Sequence, residues 1–293
     1  MHVCFAIAES GTLKMVEARY AQVGRSIFTE AIKELPMLTS IRGFTAATLL
    51  ASAVCLAAPA AAQVVNPAEE VEDDGTPGVE VSANVALVSD YKFRGVSLSD
   101  GEFAIQGGVD VGLPAGFYVG AWASSLDETT VGYGSTELDI YGGWGTEFGA
   151  ISTDIGIIGY LYPDAGPGDF DYVEVYGSAG FALGPAEATL GIAYAPDQDS
   201  LGDTDNLYLY ADLGVGIPGT PVTVSGHVGY TDGFLTFTED GEAFDYSIGA
   251  ETAIPGTPLS LGVALVGVEG DALLDPDGTF TEDSVVFTLS AGF

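Results

Sequence analysis

Apolar and polar side chains change places every second residue from position 79 to the C-terminus, and no window there carries the 3.6-residue period of an amphipathic helix. Over 79–94, Val81, Ala83, Val85, Leu87, Tyr91 and Phe93 share one face, and Glu80, Ser82, Asn84, Asp90, Lys92 and Arg94 the other. Over 103–113, Phe103, Ile105, Val109, Val111 and Leu113 oppose Gln106, Gly108 and Asp110. Leu138, Ile140 and Trp144 oppose Glu137, Asp139 and Tyr141; Ile151, Ile155, Ile157 and Leu161 oppose Ser152, Asp154, Tyr160 and Tyr162. Val173, Val175 and Phe181 oppose Tyr172, Glu174, Tyr176 and Ser178; Leu207, Leu209, Leu213, Val215 and Ile217 oppose Tyr208, Tyr210 and Asp212. Weaker alternation at 117–125, 186–194, 222–230, 244–254, 259–268 and 283–293 brings the expected total to twelve strands. Most have about the 9–11 residues that a tilted strand needs to cross a bilayer.

The connections alternate too. Short Pro/Gly turns fall at Pro114-Ala115-Gly116, Phe148-Gly149, Gly184-Pro185, Pro218-Gly219-Thr220 and Pro255-Gly256-Thr257. Longer acidic loops fall near 95–101, 126–134, 163–169, 196–205, 231–243 and 269–282. Lipid offers no hydrogen-bond partner, so a sheet in a membrane must close on itself. Short turns on one side and long loops on the other describe an antiparallel up-and-down transmembrane β-barrel over 79–293. An even strand number puts both termini on the periplasmic side. A soluble β-sandwich also alternates, and aromatic placement separates the two. On the apolar face Tyr91, Phe93, Tyr194, Tyr230 and Tyr246 adjoin long loops, while Leu113, Phe117, Phe181 and Phe293 adjoin short turns or the terminus. Two girdles at two interfaces fit a barrel. A β-solenoid is disfavoured because no fixed repeat is visible.

Charge narrows the partners. The chain has 7 Lys and Arg against 42 Asp and Glu. Residues 63–293 hold 38 of those acids and two bases, Lys92 and Arg94, a formal charge of 2 − 38 = −36. Such a surface excludes nucleic-acid binding, and mean hydropathy is nonetheless positive.

The N-terminal part differs. Residues 37–62 read MLTSIRGFTAATLLASAVCLAAPAAA: Arg42, an apolar stretch to Leu56, then small residues before Gln63. This is the layout of a signal peptide with cleavage after Ala62; a membrane-anchoring helix is disfavoured by the short, Ala-rich core. Residues 1–36 read as an N-terminal extension, either a long leader or a start assigned upstream of Met37, with the second favoured. Residues 63–78 form an acidic periplasmic tail. Both cysteines, Cys4 and Cys55, precede Gln63, which removes disulfides and thiol chemistry from the exported part.

The stretch Ser89-Asp90-Tyr91-Lys92-Phe93-Arg94-Gly95-Val96-Ser97, followed by Ala104-Ile105-Gln106-Gly107-Gly108-Val109-Asp110, resembles the TorF-type family of porins. The likeness is sharpest over 83–125. Phe103 stands where that family often places Pro, a departure that bears on where the strand starts. The resemblance implies an outer-membrane channel; it implies no settled substrate and supplies no catalytic residues. The last strand, with Val285, Phe287, Leu289, Ala291 and Phe293 alternating to a terminal Phe, resembles the assembly signal read by the barrel-assembly machinery.

Polar chemistry is expected inside the barrel. Asp90, Lys92 and Arg94 are expected on the lumen face at the outer end of the first strand, with Asp110, Asp139 and Glu174 as carboxylates across a narrow bore. Lys and Arg together could hold an anionic group, but internal ion pairing is preferred, because unpaired buried charge is costly. Tyr141, Tyr160, Tyr162, Tyr172, Tyr176, Tyr208 and Tyr210 line the same face, either as filler or as a track for a sugar or nucleoside. Ser225 and His227 share a lumen-facing parity, but an i, i+2 pair on a strand rarely sets nucleophile and base in contact, and no enzyme is expected. Asp275-Pro276-Asp277-Gly278 and Asp197-Gln198-Asp199 lack the full spacing of a Ca²⁺ loop. No cofactor or metal is expected. The expected partners are outer-membrane lipid and lipopolysaccharide, the assembly machinery, and small solutes or ions, with cations favoured over anions. A closed structural or adhesive barrel with acidic loops is the alternative.

Overall fold

In the computed structural model, the described residues are 78–129, 132–166, 170–236, 238–270 and 280–293. The extension 1–36, the signal peptide 37–62, the tail 63–78 except Gly78, and the turn Asp275-Pro276-Asp277-Gly278 lie outside them. The strands among these residues are β1 Glu80–Val88, β2 Lys92–Phe93, β3 Val96–Ser97, β4 Ala104–Gly112, β5 Phe117–Ser125, β6 Thr136–Phe148, β7 Ile151–Leu161, β8 Tyr172–Leu183, β9 Ala186–Gln198, β10 Thr204–Gly216, β11 Val222–Gly233, β12 Glu242–Ala253, β13 Leu259–Glu269 and β14 Ser284–Gly292.

All except β2 and β3 form one closed antiparallel barrel of twelve strands, each paired to its neighbours in sequence. Closure comes from β1 against β14, in the register Val85↔Ala291 and Leu87↔Leu289. A closed ring leaves no strand edge unpaired, which is what hydrocarbon demands. The five expected short turns all join consecutive barrel strands at one end; Gly149 and Gly184 take positive φ there, where the strand must reverse within two residues.

The apolar parity faces outward, and among the described residues no second sheet covers it. Val228, Ile248, Ile155 and Leu190 are each more than half exposed, and they share that surface with Ile140, Leu209, Val263 and Phe287. Soluble domains do not leave such a continuous band to water; this band meets lipid. Tyr194, Tyr230, Phe244 and Tyr246 ring its long-loop rim, and Phe117, Phe148, Phe181 and Phe293 its short-turn rim. Val228→Arg places a charge near the middle of this band. It is expected to lower the urea-unfolding free energy in lipid vesicles by about 2–4 kcal/mol. A loss below about 0.5 kcal/mol would mean that the face does not touch hydrocarbon.

The first expected strand ends early. Instead of running from 79 to 94, β1 stops at Val88, and residues 89–103 leave the wall. Residues 92–97 form a two-rung hairpin, with Lys92 opposite Ser97 and Phe93 opposite Val96. Tyr91 and Phe93, expected in the outer girdle, are therefore buried inside the barrel. Parity carries from residue to residue only while the strand continues, and it ends where Ser89 Oγ takes the Phe287 N–H at 2.9 Å. The expected acidic loop at 95–101 is this inward hairpin and its exit.

The hairpin gives the barrel a packed core. Tyr91, Phe93 and Leu98 lie against Val88, Ile158, Tyr160, Tyr172, Val266 and Val286 in the half of the bore nearest the long loops. Val96 packs separately against Val268 and Ala243.

Candidate functional site

The hairpin crosses the bore and touches much of the opposite wall. Tyr91 meets Trp122 of β5 edge-on at 5.6 Å and donates to Glu137 Oε1 of β6 at 3.0 Å. Phe93 meets Tyr160 of β7 at 5.9 Å. At its root, Asp90 accepts hydrogen bonds from Ser97, Ser99 and Ser284. Lys92 pairs with Asp90 at 3.5 Å and donates to the Glu282 carbonyl at 2.9 Å. The tip is Arg94-Gly95, at φ 48° and 80°. A left-handed conformation costs a non-glycine residue roughly 1–2 kcal/mol. Gly95 also approaches β13 so closely that a Cβ would stand 2.6 Å from the Gly267 carbonyl oxygen.

Arg94 is the centre of the arrangement. Its Nη2 donates to both oxygens of Glu174, at 2.9 and 2.8 Å, and neither residue is more than 4% exposed. Tyr160 donates to the same carboxylate at 3.2 Å. The guanidinium stacks 4.2 Å over the Tyr208 ring and 4.8 Å from the Phe93 centroid. Among the described residues, Nε and Nη1 have no hydrogen-bond partner. The pair therefore neutralises charge but leaves donors unused.

Tyr208 extends the network. Its hydroxyl lies 2.9 Å from His227 Nε2 and 3.1 Å from Asp245 Oδ1. His227 is held between Asp212, at 2.6 Å from Nδ1, and Asp245, at 2.8 Å from Nε2. A ring donating from both nitrogens satisfies this geometry. Ser225 Oγ is buried with no hydrogen-bond partner among the described residues, and both His227 nitrogens face carboxylates. The Ser225–His227 pair thus lacks the contact that nucleophile activation needs.

Nearer the short turns, tyrosine rings lie flat against glycines of adjoining strands: Tyr141 on Gly120, Tyr118 on Gly143, Tyr176 on Gly156 and Tyr210 on Gly191. A missing Cβ is what lets each ring lie along the wall. Tyr118 donates to Asp154 at 2.9 Å and contacts the Tyr176 hydroxyl, while Tyr141 donates to Asp110. At the long-loop end Tyr133 stacks on Tyr162 at 4.2 Å, and Tyr160 on Tyr172 at 4.5 Å. Burial pushes the phenol of Tyr133, in the loop before β6, well up. Among the described residues no group of three or more His, Cys, Asp or Glu side chains is arranged to hold a metal ion.

Of the residues singled out in the sequence, Lys92 and Arg94 reach the bore from the hairpin, not from a strand face. Arg94 meets Glu174, and Lys92 meets Asp90. Asp139 is buried beside Glu137, with Oδ1 unpartnered among the described residues, and Asp110 sits lower with Tyr141. Tyr160, Tyr172 and Tyr208 join the Arg94 neighbourhood; Tyr141, Tyr176 and Tyr210 line the wall below. Phe287, Leu289 and Phe293 are exposed on the lipid face. Sequence reasoning missed the seat of the hairpin. Its signal was present as broken alternation: Leu87-Val88, Ile157-Ile158, Leu265-Val266 and Val285-Val286 are apolar on both faces, and in each the second residue packs under the hairpin or in the core around it.

Residues 72–293 match a family described as "Bacterial protein of unknown function (Gcw_chp)". The chain belongs to that family. The stretch that resembles the TorF-type porins lies within the matched residues. The NanC porin in its rhombohedral crystal form is similar in fold, with a TM-score of 0.50 at 7% identity over 73% of this chain and 99% of that one. The outer-membrane protein OpdK from Pseudomonas aeruginosa gives 0.39 at 12% identity, over 66% of this chain and 58% of that one. A porin refined at 1.8 Å gives 0.34 at 11% identity, over 74% and 99%. No curated protein matches the sequence. What the chain shares with the NanC porin is the fold, a β-barrel.

Proposed function

We propose that the protein is an outer-membrane channel that gives small solutes or ions passive passage, with cations favoured. The observation that carries this reading is the sorting of charge. Lipid-facing residues are apolar, while Asp110, Asp139, Asp154, Asp212, Asp245, Glu137, Glu174 and Glu251 line the interior against Lys92, Arg94 and His227, each already held by a carboxylate. Fixed negative charge in a narrow, low-dielectric passage concentrates cations and repels anions. In planar bilayers under a KCl gradient, the reversal potential is expected on the potassium side. The Asp110→Asn, Asp154→Asn, Asp212→Asn triple variant is expected to move it towards zero. Chloride selectivity would overturn the reading.

The same reading supposes export with cleavage after Ala62, both termini on the periplasmic side, and Phe287, Leu289 and Phe293 as the contact for the assembly machinery. The acidic loops would then face outward, where divalent cations bridge carboxylates to lipopolysaccharide. One observation favours a second reading, a closed structural or adhesive barrel: the hairpin of β2 and β3 spans the bore. Conductance separates them, since a plugged barrel stays silent at all voltages.

A further inference from the structure

We infer that Glu174, Tyr208 and Tyr160 form a recognition site for the guanidinium or ammonium group of an organic cation, and that Arg94 occupies it as a tethered stand-in. This rests on the channel reading above and names a solute class for it. Three observations point to a site that exchanges its occupant, not a permanent brace.

The first is composition. Two carboxylate oxygens at 2.8 and 2.9 Å with an aromatic face 4.2 Å away are the elements that bind a planar cation once water is excluded. Tyr160 fixes the carboxylate through its hydroxyl, and Tyr208 is fixed by Asp245 and His227, so the walls stand without Arg94. The second is where the occupant comes from. Glu174 and Tyr208 belong to wall strands β8 and β10, whereas Arg94 sits on the tip of a hairpin with only two paired rungs and a left-handed backbone. The third is incomplete satisfaction. Nε and Nη1 of a nine-tenths-buried guanidinium have no partner among the described residues, so withdrawing Arg94 breaks fewer hydrogen bonds than a fitted structural arginine would. An emptied site leaves Glu174 buried and uncompensated, which drives entry of another cation. A solute cation arriving from the long-loop end can therefore exchange with Arg94 as the hairpin lifts.

Trp122 packs on Tyr91 of the hairpin, so its fluorescence reports that movement. The test uses the full-length barrel, with folding checked by heat-dependent migration on SDS gels. Ethylguanidinium is the probe and neutral ethylurea its isosteric control. In wild type, ethylguanidinium at high millimolar concentration, the range needed to compete with a short tether, is expected to shift tryptophan emission; ethylurea is not. In Arg94→Gly, which suits the left-handed backbone, ethylguanidinium is expected to bind at least tenfold more tightly than in wild type. Adding Glu174→Gln is expected to abolish that gain. A wild-type barrel indifferent to ethylguanidinium, an Arg94→Gly barrel that does not distinguish it from ethylurea, or a gain that survives Glu174→Gln each overturns the site. A cation-selective current that ethylguanidinium leaves untouched overturns the site and spares the channel. Binding in micelles by a barrel silent in bilayers overturns the channel and spares the site.

Discussion

Gly95→Val should raise single-channel conductance several-fold while the barrel stays folded. A side chain at this position meets two obstacles. Its Cβ would lie 2.6 Å from the Gly267 carbonyl oxygen and 2.7 Å from Val268 Cβ, distances that real Cβ atoms do not show. The backbone is at φ 80°, which a β-branched residue resists. Neither β13 nor the hairpin tip can yield easily: Gly267 sits within the β12–β13 ladder, paired with Tyr246. The hairpin must then undock, withdrawing Arg94 from Glu174 and Phe93 from Tyr160. The barrel wall does not depend on it, because β1 pairs with β4 and β14 over residues that precede the hairpin. Gly101→Val is the control. It too places a side chain at positive φ, but in open space, so it should leave conductance unchanged. Conductance of Gly95→Val equal to wild type, with heat-dependent gel migration retained, would refute the idea that this hairpin restricts the bore.

Glu174→Gln removes charge with little change of shape. Arg94 would lose its counter-ion, and breaking a buried pair from one side costs about 3–5 kcal/mol. Urea titration in vesicles should show a loss of that size. The double variant Glu174→Gln, Arg94→Met should recover most of it, since removing both charges can be nearly neutral. Asp110→Asn is a useful contrast. Asp110 is only half-buried and bonds to one phenol, so its loss should be about 1 kcal/mol. Additive effects of Glu174→Gln and Arg94→Met would mean that the two side chains are not coupled.

Much of the fold was legible because a strand in a membrane has one degree of freedom in its pattern. Val173, Glu174 and Val175 cannot all face one way, so the parity of β8 follows from three letters. The register of β10 against β9, with Leu209 beside Ile192 and Tyr210 beside Gly191, continues the same rule from strand to strand. The five Pro/Gly turns marked where the chain reverses. The lining of the bore was legible for the same reason: Tyr160, Tyr172, Tyr208, Asp139 and Glu174 alternate with lipid-facing residues.

The hairpin was not legible from periodicity. Tyr91 and Phe93 keep the outward parity of β1, and nothing in the spacing of residues 79–94 records that the strand ends at Val88. That end is decided by partners remote in sequence, including the Phe287 N–H on Ser89 and the Ser284 hydroxyl on Asp90. The pairing of Arg94 with Glu174 was open for the same reason. Asp110, Asp139 and Glu174 were equivalent acids on paper, and only the path of the hairpin across the bore selects the third.

Sequence by itself determined that this chain closes into a barrel, which side of each strand meets lipid, and that acids outnumber bases inside, because local alternation and composition suffice for those. Tertiary structure alone decided what fills the barrel and which carboxylate meets the arginine. Contacts made over 80 residues of separation depend on where the closed wall places them, and a period of two cannot encode that distance.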